Sequence, residues 1–275
     1  MIKKTHSDFI DDDFDLDDKD ADLSLGSLVL YSSPRDIFSH RIRLISSIKK
    51  LEITIQDIDL SNPDVRSSYM TLHEVEALPL ISDHNFRIYG DRVLAEYLDE
   101  RFPHPNLMPI EASKRAIIRL FCSAIEDSWY HSAVVLEHDI IPNKNRLGGK
   151  KPTAAEKNRI RKELIEEIKI FFHSFKAENY GKFLMNDELN LVDCSILPIL
   201  WRLGACGIEL PDNASWANTI RRYMKHHFEQ EYFLNSLSRY ERELPQLEAD
   251  KEIIEEEEAP KKRKKATKKT AEKEN

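Results

Sequence analysis

Residues 88–109 read IYGDRVLAEYLDERFPHPNLMP. The apolar residues of VLAEYL (93–98) recur at helical spacing, which predicts an amphipathic helix over 91–102. Pro103 and Pro105 end this helix, because proline has no N–H to donate and moves the preceding residue away from helical conformation. The stretch therefore predicts a helix followed by a short rigid element, which suits a docking surface better than a core.

The residues before this stretch predict an α/β unit. Short apolar or alternating runs predict strands, and Pro63 stands at the first position of a helix, where proline is tolerated. The predicted order is β-α-β-α-β-β-α, with strands at 28–31, 52–59, 78–81 and 86–89 and helices at 40–50, from Pro63 onward, and at 91–102.

The residues after 109 predict an all-α unit, with helices at 112–138, 153–179, 191–203, 216–228 and 230–242. Helix 191–203 is apolar nearly all round and is expected at the centre of the unit. In helix 112–138 the apolar stripe contains Ile117, Leu120 and Phe121. The fold class is therefore α/β plus all-α, with predicted domains at 26–103 and 104–245.

Charge is concentrated at the two ends of the 275-residue chain. Residues 1–25 hold nine acids and three bases, whereas residues 246–275 hold nine of each. Both ends lack apolar residues to bury and are predicted to be disordered tails. One basic cluster consists of Lys261, Lys262, Arg263, Lys264 and Lys265. It is a candidate for weak nucleic-acid contact through the phosphate backbone, and a purely solubilising tail explains it equally well.

Several classes of protein are disfavoured. No run approaches the roughly 18 apolar residues of a membrane helix, and the start lacks the apolar core of a secretory signal. The three cysteines form no CxxC pair, which favours a reducing cytoplasm. Asp127, His131 and His138 lie near one helical face, but a partly buried polar face is favoured over a metal site there.

A βαβαββα unit followed by helices resembles the glutathione-transferase fold, whose first half is thioredoxin-like. That fold carries a cis-proline at the start of its third strand, where this chain has Leu78–Pro79. It also carries an N-capping box on its central helix, and Asn190 and Asp193 match that box. The resemblance gives Pro79, Asn190 and Asp193 structural roles.

A closer resemblance exists to the stringent starvation protein A family. It rests on SSPRDIFSHRIRL (32–44), EYLDERFPHPNLMP (96–109) and LVDCSILPILWRLGACGIEL (191–210), and it covers roughly residues 27–242. The family consists of bacterial RNA polymerase-associated proteins built on the transferase fold, in which the Pro-His-Pro element is a surface determinant of activity.

This resemblance implies a non-catalytic transcription regulator of stress, starvation or virulence genes. It implies binding to RNA polymerase and its housekeeping sigma factor, and hence a cytoplasmic, nucleoid-associated protein that needs no cofactor. A homodimer and a heterodimer with a paralogue both remain open. The candidate partner-binding residues are Asp99, Glu100, Arg101, Pro103, His104 and Pro105.

The alternative is a glutathione-dependent transferase or reductase. Such chemistry in this fold needs a hydroxyl or thiol after the first strand and an acidic–serine pair after the fourth. The pair position reads Gly90–Asp91, and Asp36 stands where cysteine-type members keep their thiol. Candidate hydroxyls remain at Tyr31, Ser32 and Ser33. The residues therefore disfavour conventional transferase activity and leave it open, since fold alone is a weak guide to function.

Overall fold

The structure is a computed structural model, and it describes residues 28–84, 86–139, 151–174, 182–185 and 188–244. Both predicted tails, including the basic cluster at 261–265, lie outside the described residues. The described part contains the predicted β-α-β-α-β-β-α unit, followed by a helical unit.

The first unit is built on a four-stranded sheet. Its strands are β1 (Leu28–Ser32), β2 (Ile53–Asp57), β3 (Leu80–Asp83) and β4 (Phe86–Tyr89). The strand order is β2-β1-β3-β4, with β1 parallel to β2 and the other pairs antiparallel. Every residue of β1 is buried, as expected for a central strand covered on both faces.

Three helices accompany the sheet: α1 (Ile37–Ile48), α2 (Pro63–His73) and α3 (Asp91–Arg101). Helix α1 begins three residues earlier than predicted, because the Asp36 carboxylate caps it by accepting the Phe38 N–H at 3.2 Å. Helix α3 matches its prediction and packs against α1 through buried Leu94 and Leu98. Val93, predicted to belong to the same apolar stripe, is instead exposed.

The helical unit departs from prediction at two points. The predicted helix 112–138 divides, because one turn over Ile125–Tyr130 is π-helical, and the predicted helix 230–242 is interrupted at Leu237, whose backbone is extended. The helices are α4 (Ala112–Ala124), α5 (His131–Leu136), α6 (Ala154–Ser174), α7 (Leu191–Trp201), α8 (Ser215–Phe228), α9 (Glu231–Ser236) and α10 (Arg239–Arg242).

Both fold signals read from the sequence are confirmed. The Leu78–Pro79 peptide bond is cis. At the start of α7, Asn190 accepts the Val192 N–H at 2.9 Å, and Asp193 accepts the Asn190 N–H at 3.0 Å. Burial raises the pKa of Asp193 to about 7, against the opposing effect of its hydrogen bonds from Tyr223 and the backbone. Helix α7 is buried from Leu191 to Leu200 and forms the predicted centre of the unit.

Buried charges join the two units. Arg43 of α1 donates two hydrogen bonds to the Glu241 carboxylate, at 2.6 and 2.7 Å, and Arg202 donates a third at 2.6 Å. Burial alone would raise the pKa of Glu241, but His40 and the two arginines lower it to about 2.

Among the described residues, no helix combines the length and apolarity needed to cross a membrane.

Candidate partner-binding surface

The connection between α3 and α4 forms an exposed loop. Pro103, His104 and Pro105 are all exposed, and the His104–Pro105 peptide bond is cis. Asn106 is exposed as well, and the two residues after it, Leu107 and Met108, are buried in the core. The Pro-His-Pro element therefore projects from the surface between a helix end and a buried anchor. We call residues 102–107 the PHP loop.

A buried lysine contacts the PHP loop from the side that faces the protein core. The Lys49 ammonium donates to the carbonyl oxygens of Phe102 and Pro105, each at 2.7 Å, and pairs with the Asp99 carboxylate at 2.7 Å. The same carboxylate accepts the Leu107 N–H at 2.8 Å. Sequence reasoning missed Lys49, because 50 or more residues separate it from the groups it contacts.

The interpretation of Asp99 as a contact residue needs correction. Asp99 is only 4% exposed, and its carboxylate points inward to Lys49 and the Leu107 amide, so it supports the PHP loop instead of presenting a charge to a partner. Glu100 and Arg101 are exposed as expected. Glu100 lies 3.3 Å from Arg115 of α4, and the Arg101 guanidinium lies over the Phe102 ring.

Ile110 adds an apolar side chain beside the loop. It is 93% exposed, and it directly follows Pro109 at the end of the connection. Single exposed apolar residues are common on protein surfaces, but this one lies only three residues after the PHP loop in the sequence. The sequence analysis did not single it out, since exposure of an isoleucine in a linker has no periodic signal.

A second apolar surface lies on the outer faces of α3 and α4. Val93, Ile117 and Leu120 are exposed there, Leu120 to 67%. Ile117 and Leu120 belong to the apolar residues singled out in the predicted helix 112–138, but Ile118 and Cys122 provide the buried side of α4. An ion pair between Glu96 and Arg119 at 2.6 Å ties the two helices together. We call Val93, Ile117 and Leu120 the α3–α4 face.

The position of the glutathione-type acidic–serine pair is occupied differently. Gly90 has φ +92°, a backbone conformation that favours glycine, and it leads directly into α3. The Asp91 carboxylate lies 3.3 Å from the buried Arg41 guanidinium, which also binds Glu126. Burial alone would lower the pKa of Arg41, but these carboxylates keep it raised. The charge of Asp91 is thus paired within the chain.

The candidate hydroxyl residues at the end of β1 and directly after it differ in burial and in their contacts. Ser32 is fully buried, and its hydroxyl accepts a hydrogen bond from Arg43. Tyr31 is buried against the rings of Tyr69 and His73, and burial raises its pKa. Ser33 is half-buried, and its backbone N–H donates to Ser39.

The histidine-containing face of helix 112–138 shows no metal geometry. Among the described residues, no group of three or more His, Cys, Asp or Glu side chains is placed to hold a metal ion. Asp127 instead accepts a hydrogen bond from the Ser123 hydroxyl at 3.0 Å and lies 3.3 Å from Arg92.

Comparison of sequences identifies close relatives. A stringent starvation protein A homologue from Coxiella burnetii is 35% identical over 221 residues, which cover 80% of this chain and 96% of that protein. The chain belongs to the stringent starvation protein A family. A homologue from Pasteurella multocida is 34% identical over 211 residues, which cover 76% of this chain and 90% of that protein. No protein-family model matches the chain.

Solved structures confirm the fold of this stringent starvation protein A family member. A glutathione transferase Omega 3C from Trametes versicolor matches with a TM-score of 0.61 at 16% identity, covering 77% of this chain and 89% of that one. A maleylacetoacetate isomerase from Anaeromyxobacter dehalogenans, with glutathione bound in its active site, matches with a TM-score of 0.59 at 21% identity, covering 76% and 94%. At these identities the likeness shows the fold alone.

Proposed function

We propose that this protein is a non-catalytic transcription regulator that binds RNA polymerase holoenzyme through the PHP loop. The observation that carries the proposal is the exposure of Pro103, His104 and Pro105 on a loop fixed from below by Lys49. An exposed loop held in one conformation loses little conformational entropy when a partner binds. Glu100 and Arg101 add exposed charges of both signs beside it.

The family supplies the partner in this proposal. Resemblance to the stringent starvation protein A family implies contact with RNA polymerase and its housekeeping sigma factor, and regulation of stress, starvation or virulence genes. The PHP loop is a protein-binding surface in this account, since its exposed part combines two prolines and one imidazole without a cluster of cations. A phosphate-binding surface would instead carry several lysines or arginines.

We further propose that the α3–α4 face binds a second subunit. Val93, Ile117 and Leu120 expose apolar area on two adjoining helices, and association would remove that area from water. The glutathione-transferase fold often forms dimers, and this supports a second copy of the chain as the occupant. A paralogue with the same fold is the alternative occupant.

The paired charge of Asp91 supports the non-catalytic part of the proposal. Asp91 and Gly90 leave no serine hydroxyl at the position of the acidic–serine pair, and Arg41 engages the carboxylate that is present. The competing hypothesis is a glutathione-dependent transferase or reductase. Calorimetry with glutathione decides between them: we expect no micromolar binding, and turnover of a model electrophile that Ser33→Ala abolishes would favour the enzyme.

Co-purification with RNA polymerase tests the proposal. The test variant replaces Pro103, His104 and Pro105 by alanine, and the matched control replaces Pro211, Asp212 and Asn213, three exposed residues of the α7–α8 loop. We expect the PHP variant to lose retention on polymerase while the control keeps it, with both variants retaining the wild-type melting temperature. Full retention of the folded PHP variant would contradict the proposal.

A further inference from the structure

Lys49 occupies an unusual place for a lysine. It is the C-cap residue of α1, and its side chain is fully buried, whereas lysine is almost never fully buried unless it is paired. Its neighbour Lys50 is exposed. Two adjacent lysines thus lie in opposite environments, and only the first reaches the PHP loop.

The contacts of Lys49 match the capacity of an ammonium group. A lysine has three N–H donors, and three acceptors lie at 2.7 Å from Nζ: the carbonyl oxygens of Phe102 and Pro105 and the carboxylate of Asp99. Asp99 in turn accepts the Leu107 amide. One buried ion pair therefore fixes the loop at its beginning, at its second proline and at its exit into the core.

These contacts have a consequence for binding. Without the ammonium, the two carbonyl groups would lose their donor, and a loop with unpaired backbone groups would move toward water. The loop would then populate its present conformation for only part of the time. Apparent affinity falls by the fraction of molecules in the competent conformation, so a loop that is competent about a tenth of the time binds about tenfold more weakly.

We propose that Lys49 is the positioning residue of the PHP loop: it holds the loop preformed for the polymerase partner without touching that partner. This inference rests on the proposed function of the loop. Arginine would not replace Lys49, because a planar guanidinium cannot present three converging donors from a single nitrogen.

The experiment compares Lys49→Met, which keeps the apolar stem, with Lys50→Met as the matched exposed control. Affinity for purified polymerase holoenzyme and hydrogen exchange of the loop amides are measured on the full chain. We expect Lys49→Met to bind about tenfold more weakly and to exchange faster at the Leu107 amide, which donates to the carboxylate that Lys49 pairs with. Lys50→Met should match wild type in both measurements.

A double variant separates positioning from general stability. Lys49→Met alone leaves the Asp99 charge buried and unpaired, which lowers the melting temperature, and adding Asp99→Asn removes that charge. We expect the double variant to regain part of the lost melting temperature but none of the lost affinity. Recovery of both would show that Lys49 acts only through stability and would overturn the inference. If Lys49→Met alone does not fold, affinity and loop hydrogen exchange are measured on the double variant instead.

The outcomes also distinguish this inference from the proposed function. If Lys49→Met and wild type bind equally while the triple alanine variant of the PHP loop does not, the positioning role is wrong and the proposed function stands. If the triple variant still binds polymerase, the proposed function fails. Unchanged loop exchange in Lys49→Met would contradict the positioning role in either case.

Discussion

Asp99 and Glu100 are neighbours in the sequence with opposite roles in the structure. Successive residues of a helix point about 100° apart, so the end of α3 can direct Asp99 into the core and Glu100 into solvent. Both were predicted as contact residues, because the motif that contains them does not show which acid is buried. Knowing that required Lys49, which reaches the loop from another helix.

Ile110 gives a prediction at the same scale. Ile110→Ser should weaken polymerase binding about tenfold, because it removes an exposed apolar group that closely follows the PHP loop in the sequence. Stability should change by less than about 0.5 kcal/mol, since the side chain packs against little in the free protein. The matched control is Ile170→Ser, another exposed isoleucine on α6. Titration with labelled holoenzyme measures the affinity of the two variants. Equal affinity would show that Ile110 is not part of the polymerase-binding surface.

At the scale of elements, local patterns predicted some features well. The resemblance to the transferase fold predicted the cis bond before Pro79 and the Asn190–Asp193 box, and both lie within short stretches of sequence. Helix α7 is apolar nearly all round, so its central place followed from its own sequence. Helix α4 was different. Its sequence is apolar on more than one side, and periodicity cannot tell which side the rest of the chain covers. Ile118 and Cys122 proved to be buried, whereas Ile117 and Leu120 proved to be exposed.

The exposed side of α4 leads to a prediction about assembly. Leu120→Glu should convert a dimer into a monomer, because it places a carboxylate in each half of an apolar contact. Ile170→Glu, at a similarly exposed isoleucine of α6, should leave the assembly unchanged. Sedimentation velocity at micromolar concentration measures both. A Leu120→Glu variant that sediments as the wild-type dimer would place the subunit contact elsewhere.

At the scale of the whole molecule, buried polar groups join distant segments. Glu241 near the end of the described chain binds Arg43 of the first unit and Arg202 of the second. His227 links α8 to residue 182: its Nε2 lies 2.6 Å from the Lys182 carbonyl oxygen, and its Nδ1 lies 2.6 Å from the Tyr232 hydroxyl. The Lys182 carbonyl oxygen can only accept, so Nε2 donates to it. Burial lowers the pKa of His227, which disfavours a second proton on the ring and leaves Nδ1 to accept from the Tyr232 hydroxyl. Sequence patterns did not predict these pairings. Most of them join residues far apart in the sequence, and the spacing of His227 and Tyr232 matches no known motif.

The neutral His227 predicts a dependence of stability on pH. Burial lowers the pKa of His227 to about 3, whereas an unfolded histidine has a pKa of about 6.5. Between these values the unfolded chain binds a proton that the native state does not, so stability falls as pH falls. At pH 5 this one group should cost about 2 kcal/mol relative to pH 7.

Urea unfolding at pH 7 and pH 5 measures this contribution. His227→Gln keeps an N–H donor for the Lys182 carbonyl but cannot titrate, so it should lose less stability between the two pH values than wild type. His131→Gln, at an exposed histidine, is the control and should retain the wild-type pH dependence. An unchanged pH dependence in His227→Gln would show that this ring is not held neutral.

The central claim is that the PHP loop touches RNA polymerase holoenzyme. A photo-crosslinking amino acid at position 104 tests that contact directly, with the same probe at exposed position 70 on α2 as the control. After irradiation with purified holoenzyme, we predict crosslinks to a polymerase subunit or the sigma factor from position 104 and none from position 70. A protein that binds holoenzyme yet crosslinks only from position 70, or from neither position, would contradict the claim.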